Sequence, residues 1–303
     1  VLDDLDSAAD IARLTDRLLR QADAYGRLPT PVSDIIAAAN LSEASHTFLS
    51  ENSIAAMPAH LQGVLRRVAG KVHAVLDRKT REVHINPAID LPGQQAFKRL
   101  HETSHDLFPW QCIDAGAIGY ADNELTLSPR TTIVFEREAN QRAAELLFQR
   151  DRFAEIAAEY ATSCATVVEL AGRFGASRHS TFRRYIESHR GVLAGVVLDV
   201  SPAGTAPLAF RRREAISSAA WRDRFEDPLV WPRVLCADTF AFVEQTRVCA
   251  ALAAGGTWRH PDLNNEMTTL NAEAMSNSYR SFVLLWLPRS GRLRRRRVLA
   301  QAA

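Results

Sequence analysis

Along the first 26 residues the apolar positions recur at helical spacing: Leu5, Ala8 and Ala9, Ala12, Leu14, Leu18 and Leu19. That periodicity predicts an amphipathic helix over 3–26. The segment LPTPVSD interrupts it, and Ser33 or Asp34 can cap a second helix, IIAAAN. In KVHAVLDRKTREVHINP (71–87) the period changes to two, with Val72, Ala74 and Leu76 before the turn DRKTRE and Val83 and Ile85 after it. Alternation on both sides of a polar turn predicts a β-hairpin ending at Pro87. Helical spacing resumes at Pro92, which suits a first helical turn. Ala96 and Phe97, Leu100, Ser104, and Leu107 and Phe108 then share a face. Pro109 disfavours helical geometry at Phe108, so the helix stops there. A loop over 111–131 follows, long enough to be functional or to hold a short strand near 124–127, and TIVFEREANQRAAELLFQR (132–150) predicts the next long helix.

From 151 to 190 the pattern stays helical, with a break at Gly175 followed by Ser177. Beyond 191, GVVLDVSPAGTAPLAFRRR and the aromatic-rich remainder have the texture of strands and short helices. The expected fold class is therefore α+β, in three parts: an N-terminal domain over 1–150 with helices and a small antiparallel sheet, a helical segment over 151–190, and an α+β domain over 191–303.

Composition narrows the function classes. The acidic start VLDDLDSAAD has no apolar core of a signal peptide, and no apolar run approaches the ~20 residues that span a bilayer. Cys112, Cys164, Cys236 and Cys249 form no CxxC pair, which favours reduced thiols over disulfides or a cysteine metal site. A cytoplasmic protein with no membrane partner is expected. The net charge of +2 hides six arginines within PRSGRLRRRR (288–297), which leave −4 on the rest of the chain. A terminal arginine run reads as a solvated tail, and the body is not basic, which argues against a dedicated nucleic-acid binder.

The stretch that carries chemistry is RLHETSHDLF (99–108). Residues four apart on a helix differ by about 40° and one turn of rise, so His101 and His105 project from one face and their rings can converge on one ion. Glu102 flanks that ion and can act on a bound water as a general base. Catalytic zinc normally takes three protein ligands and keeps one position open. No histidine occurs from Trp110 to Gly119, so the third ligand is sought on the following helix. Glu136 and Asn140 are four apart in FEREANQRAAELL. Glu136 can supply the carboxylate ligand, and Asn140 can orient a zinc-bound imidazole by a hydrogen bond. Glu138 projects about 200° away from Glu136, so the two cannot both face the ion.

HETSH followed by a loop and EREANQRAAELL, with the hairpin VLDRKTREVHINP and the approach FKRLHE before it, resembles the ImmA/IrrE family of metallo-endopeptidases over about residues 30–150. The resemblance implies a zincin-like domain, with His101, His105 and Glu136 as zinc ligands and Glu102 as general base. It implies as substrate a helix-turn-helix transcriptional repressor, cleaved in stress or phage-type regulation. Ser104 stands where the family usually has glycine; its hydroxyl can bond back to the Leu100 carbonyl. His₂Glu ligation also suits Mn²⁺ or Fe²⁺. Val83–Asn86 is expected as an edge strand for an extended peptide, and His84 and Tyr120 are candidates for stabilising an oxyanion.

LAGRFGASRHSTFRRYI resembles a helix-turn-helix with Leu170, Phe174, Phe182 and Ile186 as core and Arg178, Arg183 and Arg184 exposed. A second functional reading follows from a different class: a DNA- or repressor-binding regulator whose zinc fold is structural or vestigial. Intact His101, Glu102, His105 and Glu136 favour the enzyme, since a vestigial site has no need of a general base.

Overall fold

The computed structural model describes residues 7–47, 49–69, 72–88, 91–108, 129–200, 209–228, 231, 233–236, 254–277 and 279–288. Tyr120, the expected strand near 124–127 and the arginines from 289 onward lie outside the described residues. The α+β expectation holds, and the chain divides into two units. Unit 1 comprises residues 1–153 and 172–177; unit 2 comprises 154–171 and 178–303. The expected separate segment 151–190 is thus shared between the two.

In unit 1, α1 (Ala8–Gln21) buries Ile11, Leu18 and Leu19 and ends sooner than the apolar pattern predicts. Its end is set by Asp23, which takes positive φ just after the C-cap Ala22. Helix α2 (Val32–Ala38) starts one turn ahead of IIAAAN, with Pro31 at its N-cap. Ser33 does not cap it; its hydroxyl donates to Glu43 at 2.8 Å. Strand β1 (Ser42–Glu43) follows, then short helices α3 (Glu51–Ala55) and α4 (Ala59–Ala69). The hairpin forms as β2 (Ala74–Asp77) and β3 (Glu82–Ile85), antiparallel, with Ala74 opposite Ile85 and Asp77 opposite Glu82.

This small sheet differs from expectation in one respect. Strand β1 pairs with β3 in parallel, so the order is β1-β3-β2 and the sheet is mixed. Val83 is therefore on a central strand, and the edge strands are β1 and β2. A two-residue strand is too short to announce itself by alternation. Against the sheet pack α5 (Pro92–Asp106) and, on α5, α6 (Pro129–Leu147). Helix α7 (Asp151–Ala157) brings Phe153 against Phe148 and Phe174, an aromatic cluster with ring centroids 4.9–5.9 Å apart.

Unit 2 is built on a six-stranded antiparallel sheet in the order β6-β5-β4-β9-β8-β7. Its strands are β4 (Leu193–Val200), β5 (Ala209–Ser217), β6 (Val234–Cys236), β7 (Ala254–Pro261), β8 (Met267–Ser276) and β9 (Arg280–Trp286). Successive residues point to opposite faces, and both faces of β4 and β9 are buried. Val196, Leu198, Phe210, Leu270 and Val283 join Trp221, Phe225 and Trp231 in one core, Trp221 coming from the single turn α10 (Ala219–Arg222). The other face meets α9 (Arg178–Glu187). Gly195 lets that helix approach: a Cβ there would lie 2.3 Å from Ile186 and 2.6 Å from Phe182.

The stretch read as a helix-turn-helix forms α8 (Cys164–Phe174), Gly175 at φ +67, and α9. Leu170, Phe174, Phe182 and Ile186 are buried as expected. Arg184, expected exposed, is buried instead, because α9 is covered around most of its circumference, with Thr181, Phe182, Tyr185 and Ile186 also buried. Among the described residues no helix is long and apolar enough to cross a membrane.

Candidate metal centre

Helix α5 begins with Pro92 in its first turn, where a missing N–H costs nothing, and ends with Leu107 as C-cap ahead of Pro109. Its apolar stripe Ala96, Leu100 and Phe108 is buried, which fixes the rotation of the helix. Thr103 and Ser104 lie on the same side, fully buried, and each returns its hydroxyl to the helix. Thr103 donates to the Arg99 carbonyl at 2.8 Å, and Ser104 to the Leu100 carbonyl at 2.6 Å. The serine therefore needs no other partner, as its position in HETSH leads one to expect.

With that rotation His101 and His105 are both buried, at 5% and 1% exposure. Their Nε2 atoms face each other at 3.2 Å with the rings edge to face. Helix α6 brings Glu136 over the pair: one carboxylate oxygen lies 3.3 Å from His101 Nε2 and the other 3.4 Å from His105 Nε2. The buried Ala139 and Ala143 suit the close approach of α6 to α5. Glu138 points elsewhere, buried, and accepts a hydrogen bond from Ser7. The choice of Glu136 over Glu138 from helical rotation is matched by this placement.

Ligands held about 2.0–2.2 Å from an ion at tetrahedral angles sit roughly 3.3–3.5 Å from one another. The two Nε2 atoms are 3.2 Å apart and lie 3.3 and 3.4 Å from different oxygens of Glu136; taken one per residue, the ligand atoms all lie within 4.8 Å of one another. His101, His105 and Glu136 can therefore hold a metal ion, with both imidazoles presenting Nε2.

Electrostatics follow the same convergence. Burial pushes the Glu136 carboxyl up, but hydrogen bonds and charge from His101 and His105 outweigh it and hold it well below the ordinary carboxylate range. Glu102, next to the first imidazole, is raised by burial, partly opposed by the two histidines and Lys98, with Glu136 adding to the rise. Asn140 is exposed, and His101 Nδ1, buried, has no hydrogen-bond partner, so Asn140 does not orient that imidazole here. His84 is buried on β3, opposite Val75.

Pattern reading missed the arginines at the end of α5. Arg78 donates to the His105 carbonyl at 3.2 Å, Arg81 pairs with Asp106 at 2.8 Å, and Arg142 donates to the Leu107 carbonyl at 3.3 Å. Arg142 is 1% exposed, and its guanidinium carbon lies 5.0 Å from the centre of the Phe108 ring. Burial lowers it to about 10. The signal available in sequence was weak: an arginine six residues past Glu136 on a helix, where arginine is ordinarily solvated.

No protein-family model matches the chain, and no curated protein sequence matches it. Among solved structures, a Mycobacterium tuberculosis transcriptional regulator is similar, with 13% sequence identity and a TM-score of 0.51. The match covers 91% of this chain and 75% of that one. At this identity the likeness concerns the fold.

Proposed function

We propose that the chain is a cytoplasmic zinc-dependent endopeptidase on a zincin-like domain, hydrolysing a peptide bond in a protein substrate, a helix-turn-helix transcriptional repressor by resemblance. The observation that carries the reading is the convergence of His101, His105 and Glu136, whose ligand atoms all lie within 4.8 Å of one another, with Glu102 beside the first of them. Bound zinc would act as a Lewis acid toward the scissile carbonyl and the attacking water. The chain's own contribution is positional and acid–base. The two imidazoles and Glu136 fix the reacting centre on α5 and α6. Glu102 takes the proton from the attacking water and delivers it to the leaving amine nitrogen. A substrate strand adds to the sheet at β1 or β2, since β3 lies between them.

The test uses Glu102→Gln. General-base loss costs roughly 10²–10⁴-fold. The variant is expected to bind Zn²⁺ like the wild type and to lose cleavage of a repressor that the wild type removes from the host proteome. Unchanged turnover in that variant would overturn the assignment of Glu102.

A second reading, a non-catalytic DNA- or repressor-binding regulator, is favoured by the fold likeness to a protein named as a transcriptional regulator. Against readout of DNA by α9, its basic residues are engaged within unit 2. Arg183 pairs with Glu187 and Glu214, and Arg178 donates to the Ser276 carbonyl at 3.0 Å. Zinc binding without cleavage of any protein by wild-type chain would decide for this reading.

A further inference from the structure

His105 stands on the weakest part of its helix. It is the penultimate residue of α5, where the last carbonyls have no partner further along and the helix dipole gathers negative charge. Terminal turns fray. An imidazole placed there would wander out of the ligand triangle unless the end were held from outside.

Three successive residues of this terminus are each held by a different arginine. Arg78, from the turn between β2 and β3, donates Nη2 to the His105 carbonyl. Arg81, from the same turn, binds the Asp106 carboxylate at 2.8 Å and also donates to the Ala39 and Asn40 carbonyls at 3.0 and 3.1 Å. Arg142, on the helix that supplies Glu136, donates to the Leu107 carbonyl and lies over Phe108. Within the turn, Asp77 accepts from the Lys79 and Thr80 amides at 2.8 and 3.3 Å. Arg81 sits at φ +62, a left-handed conformation that favours glycine. An arginine kept at such a position is tied there by what its side chain holds.

We infer that Arg78, Arg81 and Arg142 are positioning residues of the metal centre, clamping the last turn of α5 so that the His105 imidazole stays fixed against His101 and Glu136. The inference rests on the proposed metal centre. The arginines act through the backbone and Asp106. Holding an arginine on a carbonyl at a helix C-terminus also meets the dipole with positive charge, so the clamp and the dipole act in the same direction.

The experiment measures Zn²⁺ affinity of the full chain by competition with a chromophoric chelator, together with amide hydrogen exchange over 105–108 in the metal-free protein. Arg78→Ala is expected to weaken Zn²⁺ binding roughly 10–100-fold, the usual loss when support outside the ligand set is removed, and to speed exchange of those amides. Arg78→Lys, which keeps one donor and the charge, restores part of the affinity. Arg81→Gly relaxes the backbone while deleting the side chain, so it keeps thermal stability and still loses affinity. Arg142→Lys, which keeps the buried charge, serves in place of a truncation that would threaten folding. Wild-type affinity in both Arg78→Ala and Arg81→Gly would overturn the clamp. A wild-type chain that binds no zinc would overturn the clamp and the peptidase reading together. Wild type that binds zinc and cleaves nothing, with weakened variants, sinks the peptidase alone.

Discussion

In unit 1 two imidazoles and a carboxylate from α5 and α6 meet at one point, whereas around α9 in unit 2 ionisable groups are matched in opposites. His179 there uses both ring nitrogens, one 2.8 Å from Glu214 and the other 3.2 Å from Arg280, and Arg183 takes the second Glu214 oxygen at 2.6 Å. His179, Arg183, Glu214 and Arg280 each have a partner of complementary character. The unit 1 group is different in kind. Its three members can all offer lone pairs toward a shared centre, and one imidazole has no partner for its far nitrogen. Matched pairs anchor a helix to a sheet; convergent ligands can hold a cation.

The sharpest way to break this comparison is to remove one converging group and its neighbour in turn. Glu136→Ala is expected to cost Zn²⁺ affinity by more than the roughly 10–100-fold typical of an outer partner, whereas Glu138→Ala, removing a carboxylate engaged with Ser7, leaves affinity unchanged. Calorimetric Zn²⁺ titration of the two variants checks it; equal losses would erase the distinction between them.

Next in size is a core substitution in unit 2. Trp221 is fully buried among Phe225 and Trp231, with its indole N–H on the Glu226 carbonyl at 3.1 Å. Trp221→Ala should destabilise by about 3–5 kcal/mol, read by urea unfolding. Its Zn²⁺ affinity should match the wild type, because none of the metal donors belongs to unit 2.

The smallest effect is a pH dependence. Burial raises the Glu214 carboxyl, but the hydrogen bond from His179 and the charges of Arg183, His179 and Arg280 outweigh it, so it titrates below its ordinary 4.5. A group depressed on folding stabilises above the unfolded value and loses that contribution as pH falls through the folded value. Unfolding free energy of the wild type should therefore decline as pH drops below about 4.5, and Glu214→Gln should decline less over the same range. Parallel slopes in urea titrations of the two proteins would show that the His179–Glu214 pair contributes nothing.

Much of the site was legible because it is local. Pro92 and Pro109 bracket one helix, and helical rotation alone puts His101 and His105 together and separates Glu136 from Glu138. The back-bonding of Ser104 is equally local. What escaped depends on contacts between distant segments. The position of β3 inside its sheet depends on two residues of β1 some 40 positions earlier. Asn140 shares a helical face with Glu136, yet one turn further along that face is solvent. Arg184 reads as a solvated cation and Arg142 carries no signal of its own, yet both are buried by elements that no periodicity of their own helices reveals.

The sequence by itself determined which side chains face the same way on each helix, because helical pitch and proline geometry are properties of neighbouring residues. Only the tertiary structure decided that α6 approaches α5 closely enough to bring Glu136 within 3.4 Å of both imidazoles. It also decided that arginines from a hairpin turn and from α6 meet the end of α5. Both outcomes are set by packing between helices, where shape and burial fix distances that spacing along one chain leaves open.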